Sequence, residues 1–180
     1  MGKQNEFWFE DELCRHLADH GWMYSRDDTG YDRELALFPA DVFAWLEETQ
    51  PDALSQKVKS TDSPALQEKA RQQLLARLAQ VLDKPFAQGG GMLNALRRGF
   101  KDVSIQFDLC QFRPAQQLNP ATLERYSQVR LRVMRQVHYS TSNQKSLDLV
   151  FFVNGLPVAT MEVKTDFTQS VQDAINQYQK

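Results

Sequence analysis

The stretch Ser146–Lys164, SLDLVFFVNGLPVATMEVK, decides how the rest of the chain is read. An apolar run carries Asp148 near its start. Asn154-Gly155-Leu156-Pro157 is a turn signal, and a second apolar run ends in Glu162-Val163-Lys164. The pattern predicts a β-hairpin bearing two carboxylates and a lysine. Residues two apart on a strand share a face, so Glu162 and Lys164 are neighbours and Val163 points away. The loop length then sets the partner of Asp148. A two-residue Asn-Gly turn would pair Val153 with Leu156 and Asp148 with Met161. A three-residue loop, Asn154–Leu156, pairs Val153 with Pro157 and sets Asp148 across from Glu162. Pro157 disfavours a regular ladder at that point, and three-residue hairpins are common. The expectation is therefore this loop or an equivalent single bulge.

In that register the two carboxylates lie about 4.5–5.5 Å apart at Cβ, where like charges repel without a counter-ion. Hard oxygen ligands with open positions suit Mg²⁺. A lysine one pleat away can hold a water or neutralise developing charge. These parts fit metal-assisted phosphodiester hydrolysis. The bland alternative is an amphipathic strand end with Glu162 and Lys164 in water. Asp/Glu-x-Lys is a short triplet that arises by chance about once in such a chain. Here it occurs only at Glu162–Lys164, after an aspartate strand and before a helical pattern.

Working outward, Asn5 to His20 reads as a helix with Phe9, Leu13 and Leu17 as its apolar stripe. At 100° per residue Glu6 falls within about 20° of Leu13 and Glu10 about 60° away. An acid thus lies on or beside the buried face. Residues 22–32 read as a polar connection. Pro39 and Asp41 start a helix to Thr49, ended by Pro51. Residues 52–63 read as a loop or a short helical turn. Ser63-Pro64 opens a helix to about Leu82, and Met92 to Arg98 is a further short one. Gln88-Gly89-Gly90-Gly91 is not a phosphate loop, since no Gly-Lys-Ser/Thr follows. Val103 to Phe112 shows a strand pattern. Asn119-Pro120 starts a helix to Ser127. Val129 to Tyr139 alternates with Arg130, Arg132, Arg135 and His138, which predicts a half-exposed strand with one basic face, either a plain solvent-facing side or a contact for a DNA backbone. A final helix starts at Thr168 or Ser170, with Val171, Ala174, Ile175 and Tyr178 on one face.

Composition bounds the function. The chain has 180 residues, 42% hydrophobic and 24% charged, with a net charge of −2. That is an ordinary globular composition with no global nucleic-acid signature. Between Arg97 and Lys145, however, nine Lys/Arg stand against three Asp/Glu, a local net of +6. Cys14 and Cys110 are far apart with no Cys-x-x-Cys spacing, which reads as buried reduced thiols rather than zinc ligands. No run approaches the roughly 18 apolar residues that span a bilayer, and the acidic start is no secretory leader. The expected compartment is the cytoplasm. The last residues, AINQYQK, stop within a helical pattern, so the chain is expected to be the front of a longer one.

At these residues the chain resembles the N-terminal endonuclease domain of the type I restriction enzyme R subunit, in the PD-(D/E)xK nuclease superfamily. The likeness is carried by Phe9-Glu10, Leu118-Asn119-Pro120, Arg135–Tyr139, Leu147–Val150, Asn154–Pro157, Glu162–Lys164 and Ala174–Tyr178. It implies a single α/β nuclease domain over residues 1–180. Its restriction-endonuclease-like core would be a mixed sheet flanked by helices, with a helical insertion at about 40–98 and the catalytic sheet at about 101–164. It further implies that Asp148, Glu162 and the Val163 carbonyl bind Mg²⁺, that Lys164 assists the attacking water, and that Glu10 is a further catalytic acid. Where the family often has Gln-x-x-x-Tyr, this chain has Ala174 and Tyr178, with Gln172 and Gln177 as nearby auxiliaries. The implied partners are double-stranded DNA and, through the full-length chain, methylation and specificity subunits. ATP would serve only a motor region absent here, as no Walker A sequence occurs. The alternatives are a catalytically silent docking or DNA-binding domain of the same fold, and a free-standing repair-type nuclease.

Overall fold

The computed structural model describes residues 2–116 and 118–163. Among them are six α-helices and six strands: α1 (Gly2–Asp19), β1 (Met23–Ser25), α2 (Pro39–Thr49), α3 (Pro51–Lys57), α4 (Pro64–Asp83), α5 (Met92–Arg98), β2 (Phe100–Asp102), β3 (Ile105–Phe107), α6 (Pro120–Ser127), β4 (Leu131–His138), β5 (Ser146–Val153) and β6 (Leu156–Met161). The final helix predicted beyond Thr168 lies outside the described residues.

The helix starts follow local chemistry. Proline stands at the first turn of α2, α3, α4 and α6, where its missing N–H has no intrahelical partner to lose. Ser63 caps α4 by accepting the Leu66 N–H at 3.4 Å. Asn119 caps α6 by accepting the N–H groups of Ala121 at 3.1 Å and Thr122 at 3.4 Å.

The chain forms two compact units. Among the described residues the first contains 2–29, 131–152 and 157–163. Its sheet has the order β1-β4-β5-β6 and is mixed. β1 runs parallel to β4, with Met23 opposite Arg132, Tyr24 opposite Val133 and Ser25 opposite Met134. The mixed sheet that the resemblance implies is thus observed. β1 itself was hidden in a segment that reads as a polar connection, because three residues are too few to show a period. Cys14, Val133 and Leu149 are fully buried, flanked by Leu13, Leu17, Trp22, Tyr24 and Phe151. Trp22 meets Phe151 edge to face, with ring centroids 5.8 Å apart.

The second unit contains residues 30–130 with 153–156. Trp45, Leu46, Leu74, Leu78, Phe107, Leu109 and Leu156 form its core. The Trp45 indole N–H donates to the Asp108 carbonyl at 2.8 Å. Gln50 holds the same residue at both ends, donating to its carbonyl at 2.7 Å and accepting its N–H at 2.7 Å. The strand expected over Val103–Phe112 is instead the short antiparallel ribbon β2–β3, with Phe100 opposite Phe107, in a sheet of its own. Val103 sits at its turn with φ 56° and is exposed. Gly99 (φ 66°) leads α5 into β2, and a Cβ there would fall 2.0 Å from the Phe107 carbonyl oxygen.

Candidate active site

The turn between β5 and β6 has two residues. Asn154 (φ 49°) and Gly155 (φ 82°) are both left-handed, the signature of a type I′ turn, whose twist matches that of the flanking strands. The three-residue loop is therefore corrected. Both turn residues are held on all sides. Asn154 exchanges bonds with Arg130, its N–H reaching the Arg130 carbonyl at 2.8 Å and its side-chain oxygen accepting the Arg130 N–H at 2.7 Å. Its amide nitrogen donates to the Leu109 carbonyl at 2.9 Å, and the residue has no solvent exposure. The Gly155 carbonyl accepts the Phe38 N–H at 2.8 Å.

A regular ladder from this turn would direct Glu162 away from Asp148. But β6 ends at Met161, and face parity governs only residues inside the ladder. Beyond it, the Asp148 carboxylate accepts the Val163 N–H through Oδ2 at 2.8 Å. Asp148 thus reaches the main chain directly after Glu162. Both acids are half-buried, and Glu162 Oε1 has no solvent exposure. Pro157 falls in β6, last in the sheet order of the described residues, where its missing N–H is tolerated.

The helix face is also different from the one expected. Phe9 is exposed, with Phe7 and Trp8, while Glu10 and Cys14 are buried. Glu10 is 3% exposed and forms an ion pair with the equally buried Arg135 of β4. Its Oε2 accepts from Arg135 Nη2 at 2.9 Å and Nε at 3.1 Å. Arg135 Nη1 lies 3.4 Å from the Tyr24 hydroxyl and 3.6 Å from Asp11 Oδ1, and Tyr24 donates to Asp11 at 2.9 Å. The Phe7 ring covers the guanidinium at 4.3 Å. Burial works to lower the Arg135 pKa, yet the hydrogen bonds to Tyr24 and Glu10 outweigh it and hold the pKa above its ordinary value. Cys14, in the same cluster, is pushed up to about 11, chiefly by burial; it is a packed thiol and no nucleophile.

The four basic residues of the β4 region do not share one exposed face. Arg130 pairs with Glu48 at 2.5 Å. Arg132 donates to Ser25 Oγ at 2.7 Å. Arg135 is buried under α1's acid, and His138 Nδ1 meets Asp28 at 2.9 Å. Arg135 stands an odd number of positions from Arg130 and Arg132, so alternation alone puts it on the other face. Gln136 has φ 49° inside the strand, a left-handed kink of the kind bulges use. Val133, Met134 and Arg135 are buried in succession before it.

Gln136 is the residue the sequence reading missed. Its Nε2 lies 3.3 Å from Glu10 Oε2 and 3.5 Å from Asp148 Oδ1, and its Oε1 accepts from Ser146 Oγ at 3.1 Å. It joins the acid of α1 to the acid of β5. The available signal was the break in alternation, with apolar Met134 on the arginine phase and Arg135 on the valine phase. Lys164, Gln172, Gln177 and Tyr178 lie outside the described residues.

Asp148, Glu162 and the Val163 carbonyl offer hard oxygen donors, the chemistry that Mg²⁺ takes, so the donor set fits that ion. Among the described residues no group of three or more His, Cys, Asp or Glu gathers to hold a metal. Glu10 is engaged by Arg135 and Gln136.

A mixed sheet with helices, carrying two acids near a hairpin's open end, is compatible with an α/β nuclease-like fold. Residues 3–180 match the family model described as Type I restriction enzyme R protein N terminus, and the chain belongs to that family. No curated protein and no solved structure matches. No described helix is long and apolar enough to cross a membrane.

Proposed function

We propose that this chain is the DNA-cleaving module of a type I restriction enzyme. It is a Mg²⁺-dependent nuclease of the PD-(D/E)xK kind that hydrolyses phosphodiester bonds without reading sequence itself. One observation carries the chemistry: the Asp148 carboxylate lies 2.8 Å from the Val163 N–H, inside the Glu162-Val163-Lys164 triplet. Family membership supports the class of reaction. Asp148, Glu162 and the Val163 carbonyl hold the ion, and Lys164 orients the attacking water. When bound, Mg²⁺ supplies Lewis acidity toward the scissile phosphate and a more acidic water. Double-stranded DNA is the substrate. Methylation and specificity subunits choose the target, and an ATP-driven motor supplies the DNA. Gln172, Gln177 and Tyr178 are auxiliary, and the protein acts in the cytoplasm.

The test is alanine at Glu162 and, separately, at Lys164 in the assembled restriction enzyme. DNA cutting is expected to fall at least about a hundredfold, as when a group stabilising transition-state charge is removed. ATP hydrolysis and translocation should persist. Cutting that survives both changes would make the domain a docking or DNA-binding module instead.

A further inference from the structure

Gln136 adopts a conformation its residue type rarely takes. A left-handed φ of 49° inside β4 is unfavourable for a non-glycine residue, and nothing in a plain ladder requires it. Strain of this sort persists where neighbouring structure holds it, and it gathers at functional sites. Here the kink turns a side chain out of the strand's buried run, and that side chain stands between two acids from distant parts of the chain. Its amide orientation is forced by chemistry. Ionised carboxylates only accept, so the NH₂ end must face Glu10 and Asp148. The carbonyl end is then left for Ser146, whose hydroxyl donates to it. One NH₂ group has two hydrogens, enough for both acids. Glu10 is in turn immobilised by the buried Arg135, so the amide is anchored on a fixed point.

We propose that Gln136 is a positioning residue for Asp148. It ties the Asp148 carboxylate, through Glu10, to the rigid Glu10–Arg135 pair, and so holds it beside the Glu162-Val163 main chain. This rests on the proposal that Asp148 and Glu162 bind Mg²⁺. The separations of 3.3 and 3.5 Å lie at the long end of the hydrogen-bond range, so the amide is a weak partner to each acid. Partners of metal ligands orient them, and losing one typically costs about 10- to 100-fold in metal affinity or activity.

Gln136→Gly separates positioning from folding, since glycine relieves the left-handed backbone while removing the amide. Mg²⁺ is titrated against the purified chain by calorimetry, and thermal unfolding is recorded without metal. The expected result is a metal-free midpoint equal to or above that of the unaltered chain, with Mg²⁺ half-saturation raised by about tenfold. Asp148→Asn serves as the control for the site. If Gln136→Gly binds Mg²⁺ as the unaltered chain does, the positioning role is overturned and the nuclease proposal stands. A lowered metal-free midpoint would make Gln136 a purely structural residue and overturn the proposal too. If the unaltered chain binds no Mg²⁺, or Asp148→Asn binds it equally well, both proposals fall together.

Discussion

At the residue scale, the pair Glu10–Arg135 is the most exposed to substitution, because both side chains are almost wholly buried. Removing one partner leaves a buried charge without compensation, which typically costs about 3–5 kcal/mol. Arg135→Ala should therefore lower the urea unfolding free energy by that order. The double change Arg135→Met with Glu10→Met should cost much less, since no charge is stranded. Equal losses in the two variants would show that packing, not charge, dominates at this position. The sequence placed an acid near the buried face of α1 and no more. Helical angles locate Glu10 to within a turn's width, but its partner lies 125 positions away, and only the fold brings the two together. The acids of the site were legible by type, as carboxylates in apolar strands. Their surroundings were not, because Gln136 looks like any polar residue of a half-exposed strand until its backbone is seen.

At the element scale, the β5–β6 hairpin was read correctly as a hairpin and wrongly at its turn. Asn-Gly is the strongest short signal for a type I′ turn. Pro157, which disfavours a regular ladder, argues from sequence for a longer loop instead. Two facts remove the conflict. Among the described residues β6 lies last in the sheet order, where proline costs little. The strand also stops at Met161, so Glu162 is freed from the alternation that would have turned it away. The turn's tightness gives a clear expectation for Gly155→Ala. A Cβ would stand 2.4 Å from the Phe38 carbonyl oxygen, on a backbone with φ 82°. The loss should exceed about 1 kcal/mol, seen as an earlier denaturant midpoint with an unchanged slope. A variant as stable as the parent would mean that the turn can relax away from Phe38. The starts of α4 and α6, by contrast, were legible to the residue, whereas α1 begins at Gly2 rather than Asn5, and Pro51, which reads as a stop, opens α3. Proline and cap residues act on their immediate neighbours, and no distant contact can override them cheaply.

At the scale of the whole molecule, the chain leaves its first unit after Thr29 and returns to it at Leu131. The parallel pairing of β1 with β4 depends on that return, since Met23 lies opposite Arg132. No periodicity within either segment encodes such a pairing, which is why the mixed character of the sheet could be expected only from the family likeness. The Asn154-Gly155 turn has one more consequence, and it concerns how the protein ages. In an Asn-Gly step the glycine nitrogen can attack the asparagine side-chain amide, expelling ammonia and leaving a succinimide that opens to aspartate or isoaspartate. Glycine's lack of a side chain makes that attack unhindered in a flexible chain. Here both ends of the Asn154 amide are engaged and the residue is sealed from solvent. The ring-closing approach is blocked for as long as the fold persists. Peptide mapping after prolonged incubation at mildly alkaline pH should find Asn154 intact in the native protein and converted in urea. Conversion at equal rates in the two would mean that the turn opens freely. The bond that sets the hairpin's shape would thus also record how long each molecule has spent unfolded.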